Sequence, residues 1–117
     1  MADFFQTGAI ATLHRLGPTD LPRLESELCE FAKDTPIALV LPCHVRELGT
    51  PALRLILKEL RGARYLREII VGIDGASPRE WRRARKIFGS LSNRPVLLWN
   101  SGPRMQRIYA QLQEADL

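Results

Sequence analysis

The sequence predicts an α/β domain of Rossmann-like form, a three-layer α/β/α arrangement around a small parallel sheet. Three observations predict it. The apolar runs 37–41, 69–73 and 96–99 are continuous rather than alternating, the pattern of strands buried on both faces. Their starts lie 32 and 27 residues apart, close to the length of one strand–helix–strand unit. The segments between them carry helical periodicity with clear start signals. Alternation of this kind demands a parallel sheet with right-handed crossovers.

Each element has its own justification. Asp20 is placed to cap a helix with Leu21, Leu24, Leu28 and Phe31 on one stripe and Glu25, Glu27 and Glu30 outward. The first strand follows at Ile37. Thr50-Pro51 supplies a cap and a first-turn proline ahead of the stripe Leu53, Ile56, Leu57 and Leu60, and Gly62 can end that helix. Ser77-Pro78-Arg79-Glu80 is a capping box. Behind it Trp81, Ala84, Phe88 and Leu91 face inward, and Arg79, Arg82, Arg83 and Lys86 repeat on the outer face. After the third strand Pro103 opens a helix with the stripe Met105, Ile108, Leu112 and Ala115. The chain is expected to form one domain over residues 1–117, with 1–19 as an extended arm or short edge strand. Three strands are few for a doubly wound fold, so the expectation is the first half of a larger nucleotide-binding domain, or one completed by forming a homo-oligomer.

Composition excludes several classes. The chain has 117 residues, 45% hydrophobic and 26% charged, and its longest apolar run is five residues, far short of a membrane span. The start, Met-Ala-Asp-Phe-Phe, has no basic leader region, so a cytoplasmic location is expected. Two cysteines without CxxC spacing make neither a disulfide scaffold nor a metal motif. The net charge of +4 is concentrated: residues 61–86 hold eight Arg/Lys against three acids. No aromatic lies among the arginines of 79–86 on their own face, so a solvated helix face is expected rather than a nucleic-acid site.

In open parallel sheets ligands bind beyond the carboxyl ends of the strands. Three loops qualify. In the first, Pro42 is expected to end the strand and free the peptide groups of Cys43 and His44 for a base or ribose, with Arg46 and Glu47 alongside. In the second, Asp74 stands where nucleotide folds place an acceptor for ribose hydroxyls. In the third, Gly102 offers close backbone approach and Arg104 a cation on the first helical turn, both suited to phosphate. Plain alternatives exist for each: a solvated loop, a simple turn, and a capped helix. GxGxxG, GxxxxGK[ST] and GxSxG are all missing.

These loops resemble a known family. Leu39-Val-Leu-Pro42, Glu47-Leu48, Ile70-Val-Gly-Ile-Asp74 and Leu98-Trp-Asn-Ser-Gly-Pro-Arg104, with Gly8 to His14 upstream, are similar to the N-terminal part of GT-A glycosyltransferases related to glucosyl-3-phosphoglycerate and mannosylglycerate synthases. The resemblance implies a UDP- or GDP-linked sugar donor and transfer of a hexose to a small hydroxyl acceptor such as a glycerate. It implies that Pro42, Cys43, His44, Arg46 and Glu47 hold the nucleotide, that Asp74 contacts base or ribose, and that Gly102 and Arg104 lie nearby. It also implies a divalent metal, Mg or Mn, in the complete enzyme. The family's Asp-x-Asp ligands and the Gly-Lys-Gly loop before them are not in this sequence, and His44-Val45-Arg46 replaces its usual residues before Glu47. On this reading the chain is inactive alone. The competing reading is a flavodoxin-like interaction domain without catalysis, binding a protein partner.

Overall fold

The computed structural model describes residues 20–93 and 95–117. The arm expected over 1–19 and the family-like stretch Gly8 to His14 lie outside the described residues. The elements run α1 (Leu21–Asp34), β1 (Ile37–His44), a 3₁₀ turn (Val45–Glu47), α2 (Pro51–Gly62), β2 (Leu66–Asp74), α3 (Pro78–Phe88), β3 (Val96–Trp99) and α4 (Pro103–Glu114).

The expected start signals all operate. The Asp20 carboxylate accepts the N–H of Arg23, and Thr50 Oγ1 accepts that of Leu53. Ser77 and Glu80 close a reciprocal capping box. Each such cap contributes about 1 kcal/mol. Gly102 caps α4 without a side chain.

The three strands form one parallel sheet in the order β1-β2-β3. The register sets Leu39 beside Ile69 and Leu41 and Leu97 beside Val71, so these side chains share a face. Leu53, Leu57 and Leu60 of α2, Ala84 and Phe88 of α3, and Leu91 pack on that face. Ile69, Val71, Ile73 and Phe88 are completely buried there. Right-handed crossovers between successive neighbours put both helices on one side, which gives a single core between α2/α3 and the sheet.

The α/β class and the parallel sheet match expectation; the burial does not. Strand burial alternates, and the face bearing Val40, Ile70, Val96 and Leu98 is open, with Val40 66% exposed. A continuous apolar run reports what a strand is made of, not what covers it. For the same reason the stripes of α1 and α4 are amphipathic but contain no buried residue, and Ile56 of α2 is exposed.

A second correction concerns Pro42. It does not end β1; pairing continues through Cys43 opposite Ile73 and His44 opposite Asp74. In the three-strand order β1 is an edge, the place in a sheet where a proline is tolerated because its missing donor can face away from the ladder.

Candidate functional site

The carboxyl ends of all three strands bring the three sequence-predicted loops to one rim. His44 and Asp74 are register partners at the ends of β1 and β2. The alternation of the strands puts Pro42, His44, Gly72 and Asp74 on the open side of the sheet. Asn100, just past β3, donates its backbone N–H to Ile73 O at 2.9 Å and lays its side chain over Gly72. The rim therefore presents a carboxylate, an imidazole and an amide side by side.

Local geometry fixes several of these groups. His44 Nδ1 accepts the Arg46 N–H at 3.1 Å, which turns Nε2 toward the β2–α3 loop. There it lies 2.9 Å from where a Cβ on Gly75 would sit. Gly75 also has φ +71°, so both backbone and imidazole demand a residue without a side chain. Asp74 is exposed, and its carboxylate has no hydrogen-bond partner among the described residues. Arg46 and Glu47 project from the 3₁₀ turn into solvent, and Arg104 stands exposed on the first turn of α4. Neither guanidinium is ion-paired among the described residues.

Two predicted site residues are buried. Cys43 is 5% exposed and its side chain belongs to the core, which leaves at the end of the strand only its peptide groups, the part of this residue that the sequence singles out. Burial, and after it the Glu47 carboxylate, pushes its thiol pKa up. That makes a packed, neutral thiol, not a nucleophile. Gly102 is buried, and a Cβ there would stand 2.8 Å from the Trp99 ring. The close approach that calls for glycine is to tryptophan.

Sequence reasoning missed the clamp between the second and third loops. Gly75 N–H donates to Ser101 Oγ at 3.0 Å, and Trp99 Nε1–H donates to Ala76 O at 2.9 Å. Trp99 also stacks on Trp81 of α3. No local pattern of residue types announces this clamp, because its bonds join residues 23 and 26 positions apart.

The larger hollows lie away from the rim. One of about 760 Å³ follows the α3 face at Arg79, Arg82, Arg83 and Lys86. Another, about 470 Å³, lies between α1 and the end of α2. Both are open surface grooves, and neither gathers a carboxylate, an imidazole and a side-chain amide as the rim does.

Comparison with known proteins bears on this rim. The chain is 40% identical over 115 residues to a glucosyl-3-phosphoglycerate synthase of Persephonella marina. The resemblance read from the sequence holds. A second protein of that name, from Methanococcoides burtonii, is 22% identical over 115 residues. Each alignment takes in 98% of this chain but 28% of the relative, so the chain spans less than a third of the curated relatives it matches. No family model matches, and no solved structure matches significantly. Among the described residues no helix is long and apolar enough to cross a membrane. Nor do any three His, Cys, Asp or Glu side chains gather among them to hold a metal ion. The described residues therefore offer no ligand set for the divalent cation that the glycosyltransferase resemblance implies.

Proposed function

We propose that the rim binds the nucleotide of an activated sugar, UDP- or GDP-linked, and that the chain serves as the donor-binding part of a glycosyltransferase acting on a small hydroxyl acceptor such as a glycerate. One observation carries the reading: three loops distant in sequence converge beside an exposed Asp74 carboxylate that has no partner among the described residues, in a chain similar to glucosyl-3-phosphoglycerate synthases. A carboxylate at this place accepts ribose hydroxyls or a base N–H, a charge-assisted contact of roughly 1.5–3 kcal/mol. The His44 Nε2 edge and the Asn100 amide offer neutral hydrogen bonds beside it. Arg46 and Arg104 supply the cations that a diphosphate attracts.

Calorimetric titration with UDP and GDP tests the reading. Weak binding is expected, in the millimolar to high micromolar range, and Asp74→Ala should remove it while the fold stays intact. A folded sample that gives no heat up to several millimolar nucleotide overturns the reading. The exposed apolar sheet face, with Leu98 at 50%, favours a second reading, an interaction domain. Its mark would be a tight complex on gel filtration that ignores nucleotide and is indifferent to Asp74→Ala.

A further inference from the structure

We propose that Ser101 is a positioning residue for Asp74: its hydroxyl, reaching across from the end of the neighbouring strand, holds the loop that aims the carboxylate. The inference rests on the nucleotide-binding reading of the rim.

Asp74 ends β2, and the chain then turns through Gly75 at φ +71° before α3 begins at Pro78. Glycine has the widest backbone freedom of any residue. Fixing a residue's backbone costs conformational entropy, so an untethered Gly75 would leave the adjacent carboxylate poorly aimed. Nothing within the β2–α3 loop itself holds Gly75. The tether comes from 26 residues away: Ser101 Oγ accepts the Gly75 N–H at 3.0 Å. Two neighbouring bonds flank it, Asn100 N–H to Ile73 O and Trp99 Nε1–H to Ala76 O, both 2.9 Å. Residues 73, 75 and 76 are thus each held by one residue of the 99–101 segment, and Asp74 is the position between them left free for a ligand. Of the three tethers, the Ser101 bond is the one made by an exposed-side hydroxyl that removal would not turn into a core cavity. Holding a ligand group in place before binding lowers the ordering cost paid on binding.

The test uses the 117-residue chain with Ser101→Ala and Ser101→Thr. Three readouts are taken: UDP and GDP affinity by calorimetry, thermal midpoint by circular dichroism, and exchange of the Gly75 amide by NMR. Ser101→Ala is expected to weaken nucleotide binding about three- to tenfold, the range for one lost hydrogen bond. It should also speed Gly75 exchange and leave the midpoint within a few degrees. Ser101→Thr, which keeps the hydroxyl, should restore affinity and protection together. Unchanged affinity in Ser101→Ala, or a Gly75 amide as unprotected in the wild type as in the variant, overturns the proposal. If the wild type binds no nucleotide while Gly75 is protected, the reading of the rim has failed, and the positioning role falls with it.

Discussion

The Trp99 indole lies flat against that of Trp81, ring centroids 5.4 Å apart and planes 8° from parallel. The pair joins the end of β3 to α3 directly beneath the rim, and these are the chain's two tryptophans. The stack and the Nε1–H bond to Ala76 together tie the third loop to the second.

Trp99→Phe keeps an aromatic face for the stack but removes that N–H, leaving the carbonyl of buried Ala76 without its donor. The expected loss is about 1–2 kcal/mol, a fall of about 5–10 °C in thermal midpoint for a domain of this size. Trp81→Phe abandons only part of the stacking area and should cost less, about 0.5–1.5 kcal/mol. Melting curves followed by circular dichroism give the order directly; a larger loss for Trp81→Phe would contradict this account of the pair.

Two glycines provide a matched contrast. At Gly102 an added methyl meets the Trp99 ring at 2.8 Å, whereas at Gly62, the last residue of α2, it meets nothing within 4 Å. Gly102→Ala should therefore destabilise by about 1–3 kcal/mol through forced repacking. Gly62→Ala should be neutral or stabilise by up to about 1 kcal/mol, since alanine is the better helix former. Urea titration of both variants checks the sign of each change.

The two thiols should separate by reactivity. Cys43 is buried with its pKa raised, while Cys29 on α1 is partly accessible. A thiol reagent at pH 8 should modify Cys29 in a fast phase and Cys43 only in a slow phase limited by opening of the core. Because the folded pKa of Cys43 lies above the unfolded one, folding holds the proton more tightly. Its contribution to stability is complete below the unfolded thiol pKa and declines as pH rises through the folded value. Cys43→Ala should lessen that alkaline decline, read from denaturation midpoints as pH rises through and above the ordinary thiol pKa of about 8.5.

Local signals in this chain were legible because they are local. The caps at Asp20, Thr50 and Ser77 each reach a backbone N–H three residues on, and the residue types announce it. Asp74 reaches the rim because strand order follows chain order and all strands run the same way. What depends on partners was not legible. Pro42 reads as a strand end until its strand is known to be an edge. Gly102 reads as a phosphate approach until Trp99 is seen filling the space. Ser101 bonds Gly75 across 26 residues, and no pattern of residue types at that separation announces such a bond.

Nowhere is that limit sharper than in the sheet, where apolar residues alternate between two unequal faces. Phe88 on the inner side is completely buried, and Val40 on the outer side is mostly exposed. Phe88→Ala removes a fully packed ring and should cost about 3–5 kcal/mol, enough to unfold a large share of a small domain. Val40→Thr trades a methyl for a hydroxyl where water already reaches, and should change stability by less than about 0.5 kcal/mol. The sequence alone scores both as core residues, Phe88 from the inward stripe of its helix and Val40 from an uninterrupted apolar run. Chemical denaturation of the two variants separates the accounts. A loss at Val40 comparable to that at Phe88 would mean that the outer face is covered in solution, so that burial on both sides, as the uninterrupted runs first suggested, is the correct description.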